Sequence, residues 1–146
     1  MDDAYIDVDL DKLEEIKQNY LFCLEYTKGE LPSDCDWDKP KKVKEYFKIC
    51  FGVDLKNFKI SHVSSFLDEL DHDSPAFDCI NGYVLYLKIK YTLKNYIDCI
   101  FRHEESGRVR LRWLYGNWML PNKQPLPEHP EIKECIIGTH FPKRRT

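Results

Sequence analysis

Arg108, Arg110 and Arg112 alternate with Val109, Leu111 and Trp113, and they follow a stretch carrying Lys88, Lys90 and Lys94 among apolar residues at helical spacing. A cationic helix leading into a cationic strand suits a grip on a phosphate backbone, where each ammonium or guanidinium displaces condensed counterions. Contacts of that kind position a nucleic acid without reading its sequence. Tyr91, Tyr96, Trp113, Tyr115 and Trp118 lie around the same basic end. Such rings can stack on exposed bases, at about 1–3 kcal/mol per base, and they can equally build an ordinary core.

Catalytic chemistry finds less to work with. Two-metal phosphoryl transfer needs convergent carboxylates. Asp7, Asp9 and Asp11 share a face only on a strand, and a helix start beside them favours capping and solvation. Asp68, Glu69, Asp71, His72 and Asp73 are denser but read as a polar break between helices. Cys99 and His103 are four residues apart on a helix, yet Cys99 falls near the buried side and has no third group to orient a base. A nucleophile elbow, a P-loop and a dinucleotide fingerprint are all missing. The six cysteines form no CxxC pair and no zinc spacing, and they read as reduced core residues. No cofactor and no metal site are expected.

The net charge of −3 argues against nucleic acid only as a sum. Residues 1–38 hold 12 acids and 3 bases, whereas residues 39–60 hold 7 bases and 2 acids. Residues 61–80 hold 5 acids and no base, and residues 81–112 return to 7 bases against 3 acids. Alternating blocks give a dipolar surface, and the local field governs a polyanion's approach. Met1 opens an acidic segment and no window approaches 18 apolar residues, so neither a signal peptide nor a membrane span is expected. The expected compartment is cytoplasmic, in a bacterial or phage-infected cell.

These residues must be held by helices. Apolar spacing predicts a first helix over 10–26, capped by Asp9 or Asp11, with Leu10, Leu13, Ile16, Tyr20, Leu21 and Leu24 as its stripe. Residues 27–38 read as a loop. A second helix spans 39–51, with Asp38 as cap, Pro40 in the first turn and Gly52 at its end. A short helix over 61–70 is capped by Ser61. Ser74-Pro75 opens the longest helix, which runs to about 101. Residues 108–115 alternate as a half-buried strand, with 5–8 and 134–137 as short candidate partners. Beyond Gly116, prolines dominate, and Trp118, Leu120, Ile132 and Ile136 are expected to anchor the segment. The last residues, KRRT, are expected to be mobile.

The order of these segments resembles the thumb subdomain of the family A DNA polymerases of bacteria and phages. YIDVDLDKLEEIKQNY, residues 5–20, is similar to the family stretch in which a short Ile-x-Val-Asp precedes a helix of leucine, glutamate and lysine. DWDKPKKVKEYFKICFGVDL, residues 36–55, resembles its Asn-x-x-Ser-Pro-Lys-Gln-Leu segment. YLKIKYTLKNYIDCI and GRVRLRW, residues 86–100 and 107–113, are similar to the thumb's long helix and the glycine–arginine that opens the palm. The resemblance implies that Lys90, Thr92, Lys94, Asn95 and Tyr96 lie at the end that touches primer–template backbone. It covers about residues 5–113. The family's next threonine–glycine–arginine motif is missing, with GNWMLPNKQPLP in its place, and 146 residues leave no room for palm carboxylates or fingers.

The expectation is therefore a mainly α fold. A thumb-like helical domain over 1–115 has a long C-terminal helix and one short basic strand, and an irregular Pro-rich tail over 116–146 packs on it. The function expected is non-catalytic contact with duplex or primer–template DNA through Lys88, Lys90, Thr92, Lys94, Asn95, Tyr96, Arg108, Arg110 and Arg112. The chain would then be part of a split DNA polymerase, with a palm and fingers subunit as partner, or a stand-alone relic. The alternative is a protein-interaction or inhibitory module acting on a replication protein. It is favoured by the acidic first helix.

Overall fold

Asp9, Ser74 and Gly52 set three helix ends as the sequence requires. The computed structural model describes residues 3–142; the expectation for residues 143–146 lies outside them. The chain is mainly helical with short strands. It divides into two units, one of residues 1–21 with 91–146 and one of residues 22–90. Both divisions fall inside helices, within α1 (Leu10–Glu30) and within α4 (Pro75–Thr92).

In the first unit, β1 (Tyr5–Val8) is an inner strand of a four-stranded antiparallel sheet. The strand order is β2 (Glu104–Glu105), β3 (Arg108–Arg110), β1 and β6 (Ile136–His140). Ile6, Val8 and Val109 point inward and are buried, as period-two alternation demands. Asp9 Oδ1 accepts the Lys12 amide at 3.1 Å, the N-cap bond of α1. Leu13, Ile16, Ile97, Ile100, Leu120 and Ile132 are buried with them. Leu93–Ile97 forms one π turn after α4, and α5 (Asp98–His103) follows directly. The segment expected to be an irregular tail carries β5 (Asn117–Met119), α6 (Pro130–Lys133) and β6. Its prolines at 121, 125 and 127 fall between those elements, so they cost no ladder hydrogen bond.

The second unit is a helical cluster. α1 continues to Glu30, four residues beyond the expected end, and residues 31–39 then form the turns that lead to α2. Thr27, expected in a loop, is buried in that added turn of helix. α2 (Pro40–Phe51) starts on its proline and ends at Gly52, whose φ of 66° gives the left-handed cap. α3 (Ile60–Ser65) begins one residue before Ser61, so Lys59 occupies the cap position, and a 3-10 turn carries the chain to Glu69. Ser74 Oγ accepts the Phe77 amide at 3.2 Å and starts α4. Trp37 is buried beside Tyr46 and Tyr83, each 5.4 Å away between ring centroids. Its indole N–H donates to the Pro32 carbonyl at 2.7 Å, which satisfies its one polar group. Phe47, Val43, Leu55, Val63 and Ile80 fill the same core.

Asp38 does not cap α2. Pro40 is the first helical residue, so the cap falls on Lys39, which makes no side-chain cap bond. The Asp38 carboxylate turns instead to Lys28 Nζ at 2.5 Å and to the Tyr86 hydroxyl, which donates to it.

Candidate nucleic-acid interface

The outer face of the four-stranded sheet holds two of the three arginines. Arg108 stands opposite Asp7, and Arg110 opposite Tyr5. On the far side of β1, Tyr5 pairs with His140 and Asp7 with Gly138. β2 places Glu105 opposite Arg108. Ser106 and Gly107 make the tight link between β2 and β3, both at positive φ (53° and 80°), as a two-residue hairpin turn of the primed kind requires.

Those registers produce a layered arrangement. Arg108 Nε donates to Asp7 Oδ1 at 3.1 Å, and its guanidinium carbon lies 3.7 Å from the centroid of the Tyr5 ring. Tyr5 stacks in turn on His140, centroids 5.0 Å apart and planes within 20°. Arg110 Nη2 is 3.5 Å from Asp3 Oδ2. Asp3, Tyr5, Arg108, Arg110 and His140 line, with His103 and Glu105, an open groove of about 710 Å³. Gly138 leaves room for the ion pair, since a Cβ there would stand 3.1 Å from Asp7 Oδ2.

The groove is mixed in charge. Arg108 and Arg110 face Asp3, Asp7 and Glu105. Both ion pairs are open to water, with Arg108 and Arg110 side chains 53% and 78% exposed, so each contributes about 0–1 kcal/mol. Neither pair would outcompete a phosphate by much.

Arg112 is not on that face. β1 begins at Tyr5, in register with Arg110, so it has no residue left to pair beyond that point. The Leu111 amide closes the edge by donating to the Ala4 carbonyl at 2.9 Å. The chain then turns into a separate two-stranded sheet, β4 (Arg112–Leu114) with β5, joined through Tyr115-Gly116. The expected single strand over 108–115 is thus two short strands in two sheets. Trp113 and Trp118 face each other across β4 and β5, centroids 5.0 Å apart.

The helical candidates of this unit divide between surface and scaffold. Lys94 is exposed and makes no ion pair among the described residues, and the same holds for Arg112. Thr92 is 4% exposed, with Oγ1 3.4 Å from His129 Nε2. Asn95 Nδ2 donates to the Tyr91 carbonyl at 3.1 Å. The Asn95 carbonyl, in the π turn, accepts Asn122 Nδ2 at 2.8 Å. A π turn shifts the helical ladder and leaves carbonyls for such partners. Tyr96 is half-buried between Tyr91 and His129, and burial pushes its phenol up. The Tyr91 hydroxyl donates to Gln124 Oε1 at 2.8 Å. Thr92, Asn95 and Tyr96 therefore hold the 122–129 segment in place.

Lys88 and Lys90 belong to the other unit. Lys88 is exposed and without an ion pair among the described residues. Lys90 Nζ lies 3.8 Å from Asp38 Oδ1 and 5.2 Å from the Tyr86 centroid. The Lys28 ammonium, and after it the Tyr86 hydroxyl, hold Asp38 below the usual carboxylate range. Burial, then the same carboxylate, pushes the Tyr86 phenol up.

Sequence spacing brings together Arg108 and Arg110, and the candidate partner strand over 5–8 holds Tyr5, but spacing gives no sign of His140 and Asp3 beside them. The alternation Tyr5-Ile6-Asp7-Val8 holds the signal for Tyr5 and Asp7; His140 lies beyond the candidate strand over 134–137, between Gly138 and Pro142. Cys99 and His103 do not form a pair of functional groups: Cys99 is 4% exposed with its thiol pushed up by burial, and His103 is on the surface at the groove. Among the described residues, no three His, Cys, Asp or Glu side chains are grouped to hold a metal ion.

No protein-family model matches this chain, and neither the curated proteins nor the solved structures include a match to it.

Proposed function

We propose that this chain is a non-catalytic nucleic-acid-binding module, of the kind its polymerase-thumb resemblance implies, that grips duplex or primer–template backbone. Lys94, Arg108, Arg110 and Arg112 serve in one unit, and Lys88 and Lys90 in the other. The single observation that carries this reading is exposure: all six cations are exposed, and Lys88, Lys94 and Arg112 have no carboxylate partner among the described residues. Arg108 and Arg110 exchange weak, solvated pairs for phosphate at little cost. Arginine's planar fork also matches phosphate oxygens two at a time. The Tyr5 ring supports that fork, 3.7 Å from the Arg108 guanidinium carbon.

Thr92, Asn95 and Tyr96 act in this reading by fixing the helix end that bears Lys94. A duplex labelled with fluorescein, titrated at low salt, tests it. The triple substitution K88A/K94A/R112A removes no ion pair described here, so it is expected to keep the fold and lose most of the affinity. Wild-type affinity in that variant overturns the assignment.

A second reading is a protein-interaction or inhibitory module acting on a replication protein. It is favoured by the carboxylates of Asp3, Asp7 and Glu105 among the arginines, since a mixed-charge face suits a protein surface better than a polyanion. Binding that survives high salt, to a protein and not to DNA, would select it.

A further inference from the structure

The helical unit of residues 22–90 has a second surface that the nucleic-acid reading does not use. The last turns of α1 and the first half of α4 flank a cleft of about 480 Å³. Tyr26, Leu31 and Leu85 are among its lining residues, and Phe22 stands one turn before Tyr26. Phe22 is 72% exposed, Tyr26 64% and Leu85 51%. Large apolar side chains so placed are a surface in want of a cover. Asp78, Gly82 and Leu85 recur at helical spacing along α4, and a Cβ at Gly82 would meet Leu31 Cδ2 at 3.1 Å. The missing side chain keeps the floor of the cleft low.

Charge decides what fits. Glu30 and Asp78 are the charged residues that line the cleft, and neither makes an ion pair among the described residues. Among the described residues, no lysine or arginine lines it. Such a rim repels phosphate and attracts a cationic segment. Residues 22–90 contain no β-strand, so an incoming peptide has no sheet edge to extend. An apolar cleft flanked by two helices suits a helix laid in a groove, read through apolar anchors three or four residues apart.

We propose that this cleft takes an amphipathic helix of a partner protein, with its apolar side on Tyr26, Leu31 and Leu85 and lysine or arginine on its flanks facing Glu30 and Asp78. The proposal does not rest on DNA binding by the six cations.

The test uses the full chain and two labelled peptides of about 16 residues, long enough to hold a helix against an apolar surface. Both carry leucines at helical spacing; one has lysine flanks and the other glutamate flanks. Anisotropy is expected to give binding of the lysine peptide at least about tenfold tighter than the glutamate peptide. The variant E30K/D78K is expected to reverse that preference, and Y26A/L85A to weaken the lysine peptide by about tenfold or more. Y26A/L85A alters exposed side chains, and unchanged circular dichroism checks that its fold is retained. No binding of the lysine peptide overturns the proposal, as does equal binding of both peptides. Sedimentation of the wild type as a dimer that Y26A/L85A disperses also overturns it, because the occupant is then a second copy of the chain.

Discussion

Arg108 sits over Tyr5, its guanidinium carbon 3.7 Å from the ring centroid, with both residues on the outer face of one sheet. The ring contact and the Asp7 bond together restrict a strand arginine that would otherwise sample many rotamers. A cation over an aromatic face at an exposed site contributes about 0.5–1 kcal/mol. Arg110, two residues on, has a loose pair with Asp3 and no ring contact among the described residues.

That difference separates two otherwise similar residues. Arg108→Ala is expected to lower stability by about 1 kcal/mol, through the lost stack and the lost Asp7 pair. Arg110→Ala is expected to change it by less than about 0.5 kcal/mol. Both should weaken DNA binding. Urea midpoints read the first effect and anisotropy the second. Equal loss of stability in the two variants would contradict the Arg108–Tyr5 arrangement.

Tyr115 is the exposed tip of the β4–β5 hairpin, at φ 53° and 84% exposed, followed by Gly116 at φ 76°. A bulky side chain in the left-handed region is strained, whereas asparagine tolerates it. Tyr115→Asn is therefore expected to raise stability by about 0.5–1 kcal/mol, read as a higher urea midpoint. If Tyr115 stacks on a base, the same variant also loses DNA affinity. A lower midpoint would count against the turn described.

Stability should fall at both ends of the pH scale. Asp38 is lowered from its ordinary 3.8, so its contribution is present above that value and lost as pH falls through its folded pKa. Burial pushes Cys79 from 9.0 up to about 12 and Tyr83 from 10.0 up to about 12. Groups raised in the fold stabilise fully below their unfolded values, and that contribution is lost as pH rises through the folded ones. The urea midpoint is thus expected to decline between about pH 9 and pH 12, and Tyr83→Phe to lessen the decline. A midpoint level across that range would contradict the burial of these side chains.

Helix ends are the most legible part of the sequence, because a cap is a local event. Asp9, Gly52 and Ser74-Pro75 each act within four residues of themselves, and each acts as its type predicts. Asp38 misleads for the same reason: its local cap role loses to Lys28 and Tyr86, the latter 48 residues away. The sheet is less legible still. β3 has the alternation of a strand, but where it stops is set by the start of β1, about a hundred residues earlier in the chain. β6 carries Gly138 and is followed by Pro142, so the pattern marks only residues 134–137 and misses the half that ends at His140. Of the candidate site, the exposed lysines and arginines are readable from type and spacing. The carboxylates that pair with Arg108, Arg110 and Lys90 are not, because long-range pairing leaves no mark in a local window.

The central claim is that the exposed cations bind nucleic-acid backbone. The most direct measurement is the affinity for a fluorescent primer–template duplex as a function of salt. Engagement of about five to six phosphates predicts that the logarithm of affinity falls with the logarithm of salt at a slope of about −5. Micromolar or tighter binding at low salt with a slope near that value is the result expected. No binding at low salt, or binding that salt leaves unchanged, would contradict the account.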